Sequence, residues 1–262
     1  MTKNILILGH GRMGSWLAKE LSKTPNINIM VYDIKVNKNN ISNYYLTDDF
    51  NKINEFNPDL VLNCVSLSNT IKAFENVLEN IKVNKNIVFG DIASIKGEVK
   101  SFYQTNDLKY ISFHPMFGPT FANMGNLKGE NIVFISGSES EYLEFFKSFF
   151  LPYNLKYYFL DFDEHDRMMA YSLSVPFISS LVFAGCVDKT VVPGTTFAKH
   201  LSIAKGVLME DTELVSEILF NSLTVNEIGR ITSNLEYLKH IIKTKDKEEL
   251  GYFLDKLRKN VL

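Results

Sequence analysis

The sequence predicts an α/β chain: a mostly parallel, doubly wound sheet in its amino-terminal part, followed by an all-helical segment. Three observations carry this reading. Short continuous apolar runs alternate with segments of helical period over residues 1–160, the pattern of strands buried on both faces with helices packed over them. The first run ends in a glycine-rich turn that opens a helix. After Leu160 no segment reads as a strand, and apolar residues recur at helical spacing.

Residues 5–8 (ILIL) form the first strand. They lead into Gly9-His10-Gly11-Arg12-Met13-Gly14, after which Trp16, Leu17 and Leu21 fall at helical spacing. A second strand, 29–32 (IMVY), ends in Asp33, 19 residues beyond Gly14. A lone GxGxxG also fits an ordinary turn; a strand before it and a helix after it make it a dinucleotide-binding fingerprint. The first glycine permits the tight turn, the second lets the backbone approach a pyrophosphate, and the third lets the helix pack on the strand. The phosphates then lie at the positive end of the helix. Asp33 stands where an acidic residue accepts hydrogen bonds from the ribose hydroxyls of NAD. The expected fold is therefore of Rossmann type. NAD would be held by Gly9, Gly11, Arg12, Met13, Gly14 and Asp33, with Ser66 just past a later strand.

Residues 60–64, 87–91, 110–113, 132–135 and 157–160 supply further strands, giving seven, with helices over 68–80 and about 140–150. Beyond them, 161–164 form an acidic helix start, and 168–183 form a long apolar helix that Pro176 should kink or break. Phe197, Leu201, Ala204 and Leu208 share a later helical face. Ile228, Ile231, Leu235, Leu238 and Ile242 repeat in steps of three and four, and Leu250, Phe253, Leu254 and Leu257 mark a last amphipathic helix. The chain thus divides into 1–161, binding the dinucleotide, and 162–262, helical. These stripes offer more apolar surface than one small domain needs, so a two-fold homodimer is expected.

Composition excludes several classes. A formal charge of −2 provides no basic field for nucleic acid. Of two cysteines, Cys64 lies inside an apolar run, which argues against disulfides and a cysteine-rich metal site and suits a reducing cytoplasm. No apolar run approaches the ~18 residues of a membrane span, and no targeting segment precedes the first strand. The expected partner is a small molecule.

Asp91-Ile-Ala-Ser94-Ile-Lys96 and Phe113-His114-Pro-Met-Phe-Gly-Pro119 place a serine, a lysine and a histidine at strand ends, the edge where α/β sheets hold ligands. With the glycine turn, Asp33 and Glu164-His165-Asp166-Arg167, they resemble the prephenate dehydrogenases and their arogenate-specific relatives of tyrosine biosynthesis. The resemblance runs in order over residues 1 to about 185, and more loosely over the helical remainder, which is similar to that family's dimerisation domain. It implies NAD-dependent oxidative decarboxylation of prephenate to 4-hydroxyphenylpyruvate. His114 would accept the hydrogen bond or proton of the ring hydroxyl, and Ser94 would orient that hydroxyl or the nicotinamide. Lys96 would attract a carboxylate, unless it is a strand-end surface lysine. His165 would lie near the substrate, unless it is a capping or structural histidine. The family's arginine for the ring carboxylate would fall near Lys205-Gly206, where no arginine stands. His200 and Lys205, flanking the helical stripe, are the candidate replacements. Two rivals remain. A β-hydroxyacid dehydrogenase or pyrroline-carboxylate-type reductase is opposed by the segment beginning at His114. A catalytically silent NAD-binding dimer is opposed by His114, Ser94 and His165. Prephenate and arogenate differ by a keto or amino group far from the hydride, and the sequence leaves that choice open.

Overall fold

A computed structural model describes residues 2–35, 43–82, 86–188 and 192–262. Strands β1 (Lys3–Leu8), β2 (Ile27–Tyr32), β3 (Tyr45–Thr47), β4 (Leu60–Asn63), β5 (Val88–Asp91), β6 (Tyr110–Pro115), β7 (Asn131–Ile135) and β8 (Lys156–Leu160) make one sheet of order β3-β2-β1-β4-β5-β6-β7-β8. Its pairs are parallel except β6 with β7. The strand beyond the predicted seven is β3, a three-residue edge whose Tyr45 is 70% exposed, too short for a period-two signal.

Alternate residues of β1 feed opposite faces, as a strand's two-residue period requires. Ile5 and Ile7 pack under α1 (Arg12–Leu21) and α5 (Ser140–Phe150), with Leu17, Leu21, Phe146 and Phe150. Leu6 and Leu8 face α2 (Phe50–Phe56), α3 (Leu67–Asn80) and α4 (Gly97–Thr105), with Ile53, Phe74 and Phe102. Helices on both faces give the doubly wound arrangement, and each fully buried aromatic or aliphatic side chain contributes about 1.5–3 kcal/mol.

After β8 every described element is helical: α6 (Phe162–Ser172), α7 (Ser174–Gly185), α8 (Thr195–Met209), α9 (Thr212–Leu219), α10 (Thr224–Thr244) and α11 (Lys247–Val261). Asp161 caps α6 in a capping box with Glu164, at 2.7 and 3.0 Å. The break expected in the apolar helix over 168–183 is present, and it falls at Leu173, where α6 and α7 meet. Pro176, third residue of α7, lacks the N–H that would bond the Ser172 carbonyl, and its ring crowds that carbonyl. The break therefore falls upstream of the proline. One expectation is corrected: within Phe162–Gly185 an 18-residue stretch has a mean hydropathy of 1.5, apolar enough by length and composition to cross a membrane, and 17% of that stretch is buried. The break at Leu173 and the buried polar His165 and Ser174 oppose that role and leave an apolar surface needing cover.

Candidate active site

The glycine turn is built as its spacing requires. Gly9 has φ +94°, a conformation that favours glycine, and a Cβ there would stand 2.9 Å from Val65 Cγ1. A Cβ on Gly14 would stand 2.1 Å from the Gly9 carbonyl oxygen, so the third glycine lets α1 lie against the turn. A Cβ on Gly11 would meet nothing within 4 Å. Gly11 caps α1 without a side-chain hydrogen bond, leaving open space beside the helix's unpaired N–H groups. Close packing at Gly9 and Gly14 with openness at Gly11 fits a dinucleotide's pyrophosphate. Asp33 accepts the N–H of His10 at 2.7 Å and of Lys35 at 2.8 Å, so it braces the turn from the end of β2.

A cleft of about 640 Å³ opens beside this turn. Gly11, Arg12 and Met13 line it on one side, with Ser66, Ser94 and His114 along the strand ends and Glu217 across from them. Gly9, Gly14 and Asp33 shape the turn without lining the cleft. Arg12 is the only lysine or arginine among the described lining residues. Its Nη1 donates to Thr120 Oγ1 at 3.0 Å and lies 3.7 Å from Glu210, tying α1 to the loop after β6. A shallower groove of about 730 Å³ between α3 and α4 contains none of the predicted residues.

His114, near the end of β6, lies on the cleft wall with 7% of its surface exposed. Its Nδ1 is 3.0 Å from His165 Nε2, and His165 Nδ1 is 2.9 Å from Asp166 Oδ1. The protons follow from this geometry. A carboxylate only accepts, so His165 carries its proton on Nδ1, and its Nε2 accepts the Nδ1–H of His114. The remaining nitrogen of His114, Nε2, is then a bare acceptor that bonds no described residue. Burial, then repulsion from His165 and Lys96, holds His114 well below the ordinary histidine pKa. Burial also lowers His165, with Asp166 opposing. Both rings are neutral near pH 7.

His165 is no helix cap: Asp161 takes that role, and His165 has no exposed surface. Ser94 is half-buried on the cleft wall. Ser66 is the N-cap of α3, its Oγ accepting from Asn69 at 2.8 Å. Across the cleft, Glu217 accepts the N–H of Ser68 at 2.6 Å, and Glu213 pairs with the Ser68 hydroxyl, docking α9 onto the start of α3. Burial raises the Glu217 pKa.

Three expectations are corrected. Lys96 is neither on the surface nor on the cleft wall: it is fully buried, paired with Asp91 and 3.0 Å from the Phe113 carbonyl. His200 and Lys205 are exposed on α8 and do not line the cleft; the His200 ring packs tilted against Phe183, ring centres 5.5 Å apart. Where the family arginine was expected, a Cβ on Gly206 would stand 2.2 Å from the Phe121 ring, so that ring fills the space. Sequence reasoning missed Tyr103 and Glu217, and gave no role to Asp91 and Asp166 although both stand in the motifs. Asp91 stood at the end of an apolar run, and Asp166 follows His165 on α6, on the side that buries Phe162 and Met169.

The sheet order, the glycine turn and the helices that follow define the fold of the Rossmann-type dehydrogenases with a helical second part. Prephenate dehydrogenase from Aquifex aeolicus, solved with hydroxyphenyl propionate and NAD+, is similar with a TM-score of 0.79 at 19% identity, over 99% of this chain and 97% of that one. Synechocystis arogenate dehydrogenase gives 0.73 at 16% identity, over 98% of each chain. A putative prephenate dehydrogenase from Corynebacterium glutamicum gives 0.74 at 15%, over 99% and 90%. No family model matches this sequence, and none of the curated proteins does. At these identities the likeness establishes the shared fold.

Proposed function

We propose that the chain is an NAD-dependent prephenate dehydrogenase of the prephenate and arogenate dehydrogenase family. One observation carries the proposal: the chain His114–His165–Asp166 ends in a bare imidazole nitrogen in the same cleft as Gly11. Bound NAD supplies the hydride acceptor, while the protein supplies orientation and proton handling. His114 Nε2 takes the proton of the ring hydroxyl as hydride leaves the carbon bearing it, so positive charge does not build up there. Asp166 and His165 hold the tautomer that keeps Nε2 free. Ser94, on the same wall, orients the hydroxyl or the nicotinamide. Gly9, Gly11, Arg12, Met13, Gly14, Asp33 and Ser66 form the cofactor site, and the charge of Asp33 favours NAD over the 2′-phosphate of NADP.

The reading divides the chain into 1–161 and 162–262, supported by the end of β8 at Leu160 and the cap at Asp161. A second copy covers the exposed apolar residues of the helical part, among them Val182, Ile203, Phe220, Ile228 and Leu235. The enzyme works in the cytoplasm. NADH formation, assayed with prephenate and arogenate and with each nicotinamide cofactor, tests the proposal. Turnover of prephenate with NAD is expected. Turnover of neither substrate overturns the activity, and a clear preference for NADP overturns the cofactor assignment.

A further inference from the structure

Lys96 is a cationic side chain with no exposed surface, and a buried charge is tolerated only when it is paired. Its ammonium donates to the carboxylate of Asp91 and, at 3.0 Å, to the carbonyl of Phe113. Asp91, itself without exposed surface, accepts the Tyr103 hydroxyl at 2.9 Å through Oδ2 and the Ala93 N–H at 3.0 Å through Oδ1. Phe113 immediately precedes His114, so the ammonium grips β6 at the peptide leading into that histidine. At its other end, the backbone N–H of Lys96 donates at 2.8 Å to Asp166 Oδ1, the oxygen that also holds His165. One residue therefore holds Asp166 at one end of the His114–His165–Asp166 chain and the peptide leading into His114 at the other. Stability is a poor explanation for such a pair, since well-packed apolar residues of similar volume usually do as well.

We infer that Lys96, clamped by Asp91 and Tyr103, is a positioning residue for His114, fixing the Phe113 carbonyl through its side chain and the Asp166 carboxylate through its backbone. The inference rests on the reading of His114 as the proton acceptor. Burial lowers the Lys96 pKa while Asp91 opposes that shift, and the ammonium so paired has an electrostatic consequence. Burial is the largest influence depressing both histidines, and Lys96 adds to it in each. The other groups facing them are Asp166 on α6, Asp91 and Tyr103 behind the strand ends, and Arg12, Glu210 and Glu217 in the cleft.

The test compares Lys96→Met and the double variant Lys96→Met with Asp91→Asn, which leaves no unpaired buried charge. Two readouts are taken against pH: NADH formation from prephenate, and the imidazole nitrogen NMR signals of His114 and His165 in the substrate-free protein. In Lys96→Met, kcat should fall at least about tenfold while KM for prephenate changes little, the pattern of a group acting on the transition state. Both imidazole titrations should move to higher pH, and the acid limb of kcat should move with them. In the double variant the loss of kcat should persist while the pH displacement shrinks, because an opposite charge leaves too. Folded variants with wild-type kcat and unmoved titrations would overturn the inference. So would a raised KM at unchanged kcat, which would make Lys96 a substrate-carboxylate ligand. Should the wild-type protein turn over neither substrate, the proposed activity fails while the imidazole titrations still decide the role of Lys96.

Discussion

Asparagine at position 114 separates the chemical role of the histidine from its structural one. The carboxamide Nδ2 of asparagine stands close to where histidine carries Nδ1, so His114→Asn can keep the donor that meets His165 Nε2 at 3.0 Å. What it removes is Nε2, the imidazole acceptor on the cleft wall. A positioned general base contributes about 10²–10⁴-fold, roughly 3–5 kcal/mol of barrier, so kcat should drop at least about a hundredfold. Stability should change far less. The hydrogen bond to buried His165 survives, and the lost ring atoms stood at the cleft wall, so a loss of about 1 kcal/mol or a few degrees in Tm is expected. NAD affinity should hold, because Gly9 to Gly14, in the turn after β1 and the start of α1, are left unchanged by the substitution. The assay is the rate per folded molecule, with an NAD titration and a melting curve on the same preparation. A folded variant with near-wild-type kcat would refute the assignment, and a collapsed Tm with normal kcat would make His114 a structural residue.

The pH dependence of stability has a definite sign. His114 and His165 are depressed in the folded protein relative to about 6.5 when unfolded, so acidification protonates the unfolded chain first. Their contribution is fully present above about pH 6.5 and is lost as pH falls toward the folded values; Tm measured from pH 8 to 5.5 should therefore fall, and a rise would contradict the buried neutral pair. Gly14→Ala places a methyl 2.1 Å from the Gly9 carbonyl oxygen, and overpacking of this kind costs about 1–3 kcal/mol or more. Gly11→Ala meets nothing within 4 Å, so it should keep Tm and weaken NAD binding; equal effects on Tm would show that the two glycines do not differ as described. Sedimentation at micromolar concentration should show a species near twice 30.0 kDa, and a single species at the monomer mass would remove the dimer.

Elements with strong period were legible from residues alone. Continuous apolar runs marked seven of the eight strands, and Asp161 with Glu164 announced the start of α6. The miss at β3 has a physical cause: three residues at a sheet edge, one of them mostly exposed, carry no pattern separable from a loop. The missed α4 begins at Gly97 and buries only Val99, Phe102 and Tyr103, a short stripe. Within the site, motif residues located His114, Ser94 and His165, yet Lys96 was misplaced because its residue type argues for the surface. Burial was decided by Asp91 and Tyr103, five residues before it and seven after. Tyr103 reaches Asp91 only because α4 folds back over β5, which no local spacing reveals.

The site also explains why a helical second part matters to chemistry on a sheet edge. His114 belongs to β6, whereas His165 and Asp166 belong to the first turns of α6, so the proton-holding chain exists only while that helix keeps its register against the sheet. The capping box at Asp161 sets where α6 begins. Lys96 binds Asp166 from the β5 side, and Glu217 fastens α9 to the start of α3. Ser174 at the start of α7 hydrogen-bonds Thr224 at 2.8 Å, joining α7 to α10 inside the helical part. These contacts lie apart from the backbone of Gly9 to Gly14, which is shaped by β1, β2, α1 and the end of β4, with Arg12 alone among the six reaching Glu210 at the end of α8. Loosening the helical part should therefore lower kcat before it weakens NAD binding, whereas damage to the glycine turn should do the reverse.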